Sequence, residues 1–131
     1  MEDEPARKYE KSGLRDDEAS ALLARLEGHM LSARPWLDAD LTIEDLALGL
    51  GVPRHHLTQV INDGLGKNFY RYVNEYRVEE VKRKIAQGEA ERLSILGTAL
   101  DSGFNSKSAF NTAFKGIKGF TPSEYRKSVR L

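Results

Sequence analysis

A pattern of apolar residues and glycines occurs twice in this chain, and this repeat limits what the chain can fold into more than any other feature. Gly51 and Gly103 lie 52 positions apart. The same spacing separates Leu41 from Leu93, Ile43 from Ile95, and Ala47 from Ala99. After the glycines the spacing becomes 53, because one residue is inserted in the second turn, and the matched pairs are then Leu57 and Phe110, Ile61 and Phe114, Gly66 and Gly119, and Tyr72 and Tyr125. One structural unit is therefore predicted to occur twice.

Each copy of the repeat predicts two helices joined by a tight turn. A capping residue, Thr42 or Ser94, precedes an apolar stripe at helical spacing, and Gly51 or Gly103 then forms the turn. The second helix of each copy has one apolar face, which is the pattern of a helix-turn-helix. The whole sequence predicts an all-α fold of seven helices, in which a long linker helix at 68–88 joins two helix-turn-helix subdomains at 41–66 and 93–131. Residues 1–14 are polar and aperiodic, and they predict a tail or linker.

The composition argues against an enzyme and against a bound cofactor. The 131 residues include no cysteine, which excludes a disulfide scaffold, a thiol nucleophile and cysteine-ligated metal sites. His55 and His56 are adjacent, so on a helix they diverge by about 100° and cannot share a metal ion without further ligands. No phosphate-binding loop, Ser-His-Asp arrangement, secretory signal or membrane-length apolar stretch is recognisable. We therefore expect a cytoplasmic chain with no catalytic site, no metal and no cofactor.

The net charge of zero hides a separation of charge along the chain. Residues 1–51 hold 6 Lys and Arg against 12 Asp and Glu, whereas residues 52–131 hold 14 against 8. Attraction to phosphate depends on a locally basic surface and not on the total charge. The separation therefore favours an anionic partner for the second part of the chain, although ordinary solvated helix surfaces are an equal alternative on charge alone.

Both second helices of the repeat carry polar side chains opposite their apolar face. In a helix-turn-helix the second helix enters the major groove, so this face has to offer hydrogen-bonding groups to base edges. The first recognition face consists of Arg54, His55, Thr58 and Gln59, and the second recognition face consists of Lys107, Ser108, Asn111 and Thr112. All eight residues can form hydrogen bonds and none is acidic, whereas exposed helices often carry pairs of Glu and Lys. The sequence therefore predicts that these residues contact the bases of double-stranded DNA.

The predicted linker helix gives the two recognition helices a defined separation. From 68 to 87 it would be roughly 30 Å long at 1.5 Å per residue, which is comparable to the ~34 Å of one turn of B-DNA. A monomer would then be sufficient for a bipartite site in two successive major-groove segments. Phosphate contacts are expected at Lys67, Asn68, Asn105, Ser106 and Lys115. The run Lys82-Arg83-Lys84 either adds phosphate attraction or is an ordinary solvated surface.

The second copy of the repeat contains the most specific motif of the chain. It runs from Gly103-Phe104-Asn105-Ser106 through Phe114-Lys115 to Gly119-Phe120-Thr121-Pro122 and Tyr125-Arg126. With Leu46-Ala47, Gly51-Val52, His56-Leu57 and Arg77, these residues resemble the DNA-binding domain of the AraC/XylS family of bacterial transcription regulators over residues 15–131. The resemblance implies two helix-turn-helix subdomains, base contacts from both recognition faces, a role as a transcription factor and activator, and RNA polymerase as a further partner.

The sequence departs from the family pattern in the linker helix, at Val81, Lys84 and Ile85, and at three positions of the second copy. Family members usually have arginine at the position of Thr112, an apolar residue at that of Thr98, and a better helix former than Gly97. The missing arginine weakens the expectation of a guanine or phosphate contact at position 112. Glycine at position 97 is expected to cost about 1 kcal/mol relative to alanine, which loosens the second subdomain.

Two alternatives stay open from the sequence. The rival to DNA binding is a helical protein–protein interaction module without DNA readout. Many family members carry a sensor domain ahead of this module, so the chain is either a stand-alone regulator or a fragment of a longer one. The lead-in Lys8 to Leu14 is similar to the cytoplasmic segment of members with an N-terminal membrane region. If the chain is a fragment, a sensor or membrane region of the same protein is a further expected partner, and the latter would tether the chain to the inner membrane.

Overall fold

The computed structural model describes residues 13–130, and these residues form seven α-helices. The helices are α1 (Asp16–Ser32), α2 (Ile43–Leu50), α3 (Arg54–Gln59), α4 (Phe69–Ala86), α5 (Glu89–Leu100), α6 (Lys107–Lys118) and α7 (Pro122–Val129). A short 3-10 turn spans Pro35–Leu37, and α3 continues into a π-helical turn at Val60–Gly64. No strand occurs within this part of the chain. The prediction of an all-α fold with seven helices is confirmed, and residues 1–12 of the predicted tail lie outside the described residues.

The described chain divides into two compact units. The first consists of residues 13–35 and 40–72, and the second of residues 36–39 and 73–130. Helix α4 begins in the first unit and continues in the second. The predicted tail ends inside the first unit, because Leu14 is buried with Ala19, Leu22 and Val60 in a small apolar cluster. Each unit contains one copy of the repeat.

The first unit has a helix cap that the sequence motif predicts. The Thr42 hydroxyl accepts a hydrogen bond from the Asp45 amide at 3.1 Å, and the Asp45 carboxylate accepts one from the Thr42 amide at 3.2 Å. This reciprocal capping box satisfies backbone amides that have no partner within the helix. Helix α2 then ends at Gly51, whose left-handed backbone (φ +70°) makes the turn into α3.

The second unit repeats this cap only in part. The Ser94 hydroxyl accepts a hydrogen bond from the Gly97 amide at 3.0 Å, which confirms the capping role predicted for Ser94. Gly97 stands where the first copy has Asp45, so no side chain returns the bond. The structure differs from the prediction in one respect, because α5 already begins at Glu89 and is kinked at Ser94, where φ is +75°. The helical turn ahead of the cap has no counterpart in the repeat pattern.

The two repeat copies fill their cores with side chains of different size. In the first copy Leu46 and Leu50 of α2 are buried, together with Leu57 and Ile61 beyond the turn. The matched positions in the second copy hold Thr98, Ser102, Phe110 and Phe114, which are also buried. The Thr98 and Ser102 hydroxyls donate to the carbonyl oxygens of Ser94 and Thr98, so their burial leaves no unsatisfied polar group. The second copy thus has smaller residues in its first helix and larger ones in its second helix, so the larger rings compensate part of the lost volume.

The turn of the second copy packs against the 3-10 segment of the same unit. Gly103 has φ +105°, and a Cβ atom at this position would clash with the carbonyl oxygen of Trp36. The Arg77 guanidinium donates from Nε to that oxygen at 2.7 Å and from Nη2 to the carbonyl oxygen of Asp38 at 2.9 Å. Burial lowers the pKa of Arg77, while the nearby Asp38 acts in the opposite direction. The turn therefore requires glycine for space as well as for backbone conformation.

Candidate nucleic-acid interface

The second recognition face lies on a regular amphipathic helix. Helix α6 begins after Ser106, whose hydroxyl accepts a hydrogen bond from the Ala109 amide at 3.1 Å. One side of the helix buries Phe110 and Phe114 in an aromatic cluster, in which the two rings lie 5.8 Å apart edge to face. Four polar side chains on the other side are exposed, namely Lys107, Ser108, Asn111 and Thr112. The aromatic core therefore fixes which face of α6 points outwards, and that face can donate and accept hydrogen bonds.

The first recognition face lies on a shorter and less regular helix. Helix α3 has six residues, is preceded by Pro53 without a side-chain cap, and passes directly into the π-helical turn. Its inner side buries Leu57, and the turn buries Val60 and Ile61. The four predicted residues are all at least partly accessible, with Arg54 and His55 exposed and Thr58 and Gln59 half-buried. The first recognition face therefore lies on a short α-helix that continues as a π-helical turn, whereas the second lies on a regular α-helix.

The first recognition face borders a cleft within the first unit that is lined by both polar and apolar side chains. The cleft has a volume of about 540 Å³ and is lined by the start of α2, by α3 and by the start of α4. Arg54 and Thr58 form part of its wall, opposite Thr42 and Glu44. At its mouth Arg54 Nη1 lies 3.1 Å from the Glu44 carboxylate. Glu44 is a charged neighbour of the recognition helix that the sequence analysis did not single out.

The residues predicted to contact phosphate differ in the contacts that their side chains make within the protein and in their exposure. The Asn68 side chain accepts a hydrogen bond from the Arg71 amide at 2.8 Å and so caps α4. Ser106 caps α6 in the same way, which leaves its exposed backbone and its hydroxyl proton for other contacts. Lys67 is half-buried, whereas Asn105 and Lys115 are exposed. Lys115 lies close enough to Glu124 to help keep the pKa of that carboxyl below its usual value, although the main cause is the hydrogen bond from the Thr121 amide.

The basic run of α4 is paired within the second unit. Arg83 forms hydrogen bonds with Glu80 at 2.6 and 3.1 Å, which raise the pKa of the guanidinium, and Lys84 lies 3.6 Å from the same carboxylate. Lys82 lies 5.3 Å from the centre of the Tyr125 ring, a cation–π distance, and 4.0 Å from Glu79. The three basic side chains are thus engaged within the unit and are less solvated than either interpretation from the sequence expected. In the sequence, acidic residues three and four positions before these basic residues indicate this pairing.

Two other kinds of site have no basis in the described part of the chain. Within residues 13–130 no three His, Cys, Asp or Glu side chains cluster as metal ligands would. Over the same residues, no helix combines the length and apolar character needed to cross a bilayer.

The chain is similar in sequence to proteins that are described as transcription regulators. Residues 46–128 match a family model described as a helix-turn-helix domain. A putative AraC-like transcription regulator of Streptomyces lividans is 33% identical over 116 residues, which cover 88% of this chain and 35% of that protein. An uncharacterized HTH-type transcriptional regulator of Staphylococcus aureus (strain COL) is 28% identical, over 88% of this chain and 14% of that protein. This chain therefore spans about a third or less of the length of these relatives.

A solved structure shares the fold as well as part of the sequence. The C-terminal domain of AraT, a response regulator from Geobacillus stearothermophilus, superimposes with a TM-score of 0.68 and 28% sequence identity. The match covers 80% of this chain and 83% of that domain.

Proposed function

The chain belongs to the AraC-type helix-turn-helix family of DNA-binding transcription regulators, and on this premise we propose that it binds a specific double-stranded DNA sequence through both recognition faces. The first recognition face would place Arg54, His55, Thr58 and Gln59 in a major-groove segment. The second would place Lys107, Ser108, Asn111 and Thr112 in another segment. Their chemistry suits base edges, because arginine and lysine pair with guanine, asparagine and glutamine pair with adenine, and threonine contacts the thymine methyl group.

The observation that carries this proposal is the outer face of α6. Its four polar residues are exposed while Phe110 and Phe114 on the other side are fully buried. A helix packed in this way holds the backbone of its polar residues in a fixed orientation, which base recognition requires. Lys115 and Asn105 flank this face and are exposed, so they are suited to the neighbouring phosphates.

The partners beyond the DNA duplex form part of the same proposal. We expect one chain to occupy a bipartite site without a second copy, because each repeat copy supplies its own recognition helix. RNA polymerase is the further partner of an activator, and an N-terminal sensor or membrane region of the same protein would supply regulation. The chain would act in the bacterial cytoplasm, where its DNA lies. A footprint of one helix-turn-helix site would contradict the bipartite arrangement.

Salt dependence provides the first test of the proposal. Affinity for a duplex selected by this chain from a random pool should fall steeply with salt, with a slope of about −0.9 for each phosphate neutralised. Lys107→Ala and Lys115→Ala should each make the slope shallower by roughly one such unit. Lys82→Ala should leave it unchanged, because Lys82 is held against Tyr125 and Glu79. Fluorescence anisotropy over a salt series measures the slope. A wild-type slope near zero would favour the rival protein-interaction module.

A base-specific contact provides the second test. Asn111→Ala is expected to cost about 1–3 kcal/mol of binding free energy on the selected duplex and to relax the preference at one base pair. Gln59→Ala should do the same at a base pair in the other half of the site. Ser123→Ala on α7 is the matched control, since Ser123 is exposed but lies outside both faces. Equal losses for Asn111→Ala on every duplex would instead assign this residue to phosphate.

A further inference from the structure

The first recognition face makes a contact that the repeat does not reproduce in the second. Arg54 Nη1 lies 3.1 Å from Oε2 of Glu44, and both side chains remain more than half exposed. Glu44 stands in the first turn of α2, but the cap of that helix is closed by Thr42 and Asp45. Within the described part of the chain Arg54 is the one ion-pair partner of Glu44. The contact therefore acts on the recognition helix and is not needed to cap α2.

The second copy of the repeat supplies an internal comparison. Glu44 corresponds to Leu96 at the spacing of 52, and Arg54 corresponds to Lys107 at the spacing of 53. Leu96 is partly exposed, and Lys107 has no acid at ion-pair distance among residues 13–130. The first residue of the recognition helix is thus a tethered guanidinium in the first unit and an untethered ammonium group in the second.

The difference between these two cations matters for base recognition. A guanidinium is a planar fork that pairs with guanine through two hydrogen bonds, but only in a defined orientation, whereas an ammonium group acts as a point charge. Holding Arg54 in place before DNA arrives reduces the freedom that it loses on binding. The Glu44 carboxylate also repels phosphate, so it lowers affinity for any duplex. A contact that lowers general affinity and fixes a guanidinium favours discrimination between sequences.

We infer that Glu44 is a positioning residue that holds Arg54 for pairing with one base, so that the first recognition face discriminates more strictly at this base pair than the second recognition face does at the base pair of Lys107. The inference rests on the proposed function, because it requires a bound duplex. It assigns different tasks to matched positions of the repeat. At the start of the recognition helix, the first unit therefore selects the sequence more strictly than the second unit does.

The test removes the carboxylate and measures discrimination separately from affinity. Glu44→Gln keeps the size of the side chain, and Glu44→Leu introduces the residue found at the matched position of the second copy. Glu27→Gln is the control, because it removes the same charge from an exposed position on α1. Each variant is titrated against the selected duplex, against duplexes with each base pair replaced in turn, and against random-sequence duplex, over a salt series. Thermal unfolding of each variant checks the fold.

Opposite changes are expected in the two readouts. With Glu44→Gln, discrimination at one base pair should fall about tenfold, which is typical of the loss of an oriented bidentate contact. Affinity for random-sequence duplex should rise, and the salt slope should steepen by about 0.9, because Arg54 becomes available to phosphate. Glu27→Gln should change neither the discrimination nor the slope. Leu96→Glu should tether Lys107 and make the slope shallower by a similar amount.

The possible results separate this inference from the proposed function. If wild-type binding is salt-dependent but Glu44→Gln keeps full discrimination and the same slope, the role of Glu44 is refuted and the proposed function stands. If Glu44→Gln weakens binding equally on all duplexes and lowers the melting temperature, Glu44 is structural and the inference is also refuted. If the wild type shows no salt-dependent duplex binding, both are refuted.

Discussion

Replacing Gly103 with alanine is expected to lower the free energy of unfolding of the second unit by about 2–5 kcal/mol. A left-handed backbone costs a non-glycine residue roughly 1–2 kcal/mol, and forcing an atom into filled space adds about 1–3 kcal/mol. At Gly103 the new Cβ would meet the Trp36 carbonyl oxygen and would lie 2.8 Å from Arg77 Nε. The backbone cannot move aside easily, and the half-buried guanidinium is held by hydrogen bonds to two carbonyl oxygens, so we expect both costs in full.

Gly51 is the matched control, because it occupies the same turn position in the first copy. Its φ of +70° is also left-handed, but a Cβ atom added there would meet no atom within 4 Å in the described chain, its two sequence neighbours aside. Gly51→Ala should therefore cost only about 1–2 kcal/mol. Urea unfolding followed by far-ultraviolet circular dichroism measures both variants, and the fluorescence of the single tryptophan, Trp36, reports the transition of the second unit separately. Equal losses for the two variants would show that the packing against Trp36 is not important for stability.

Removing the Arg77 side chain is expected to destabilise the second unit by about 2–4 kcal/mol. Arg77 donates to the carbonyl oxygens of Trp36 and Asp38 and to the side chain of Asn74. Hydrogen bonds from a charged donor contribute about 1.5–3 kcal/mol each, and the part-buried Trp36 carbonyl would lose this donor in Arg77→Ala. The fluorescence transition of Trp36 should shift to lower urea, and its emission should move to longer wavelength as the 3-10 turn loosens.

Arg77→Lys tests whether geometry or charge is responsible. Lysine keeps the positive charge but cannot donate to two carbonyl oxygens from one rigid plane. We expect it to recover less than half of the loss. Full recovery by lysine would show that the charge, and not the paired hydrogen bonds, stabilises this turn.

The features that sequence analysis predicted are those that depend on local spacing. The caps at Thr42 and Ser94 follow from a hydroxyl three positions before a helical amide, and the structure contains both hydrogen bonds. The buried faces of α3 and α6 follow from the 3.6-residue period. Comparison of the two repeat copies strengthened both predictions, because the same pattern would rarely arise twice by chance.

The features that it missed depend on contacts between residues that are distant in sequence. Arg77 reaches a carbonyl oxygen 41 positions away, and Arg54 meets Glu44 across a turn. Hydrophobic periodicity contains no information about either pair. The π-helical turn after α3 and the kink at Ser94 were also missed. The sequence indicates which face of a helix is apolar, but it does not indicate where the backbone departs from regular α-helical geometry.

The difference in core side-chain size between the two copies protects the chain from a hazard of tandem repeats. During folding, the first helix of one copy can pair wrongly with the second helix of the other, and such misassembly is a common failure of repeat proteins. If α2 packed against α6, leucines would face phenylalanines and the core would be overfilled. If α5 packed against α3, empty volume would remain beside Thr98 and Ser102. Divergence of the copies has therefore made each helix a poor substitute for its duplicate, which favours the native pairing over the swapped one.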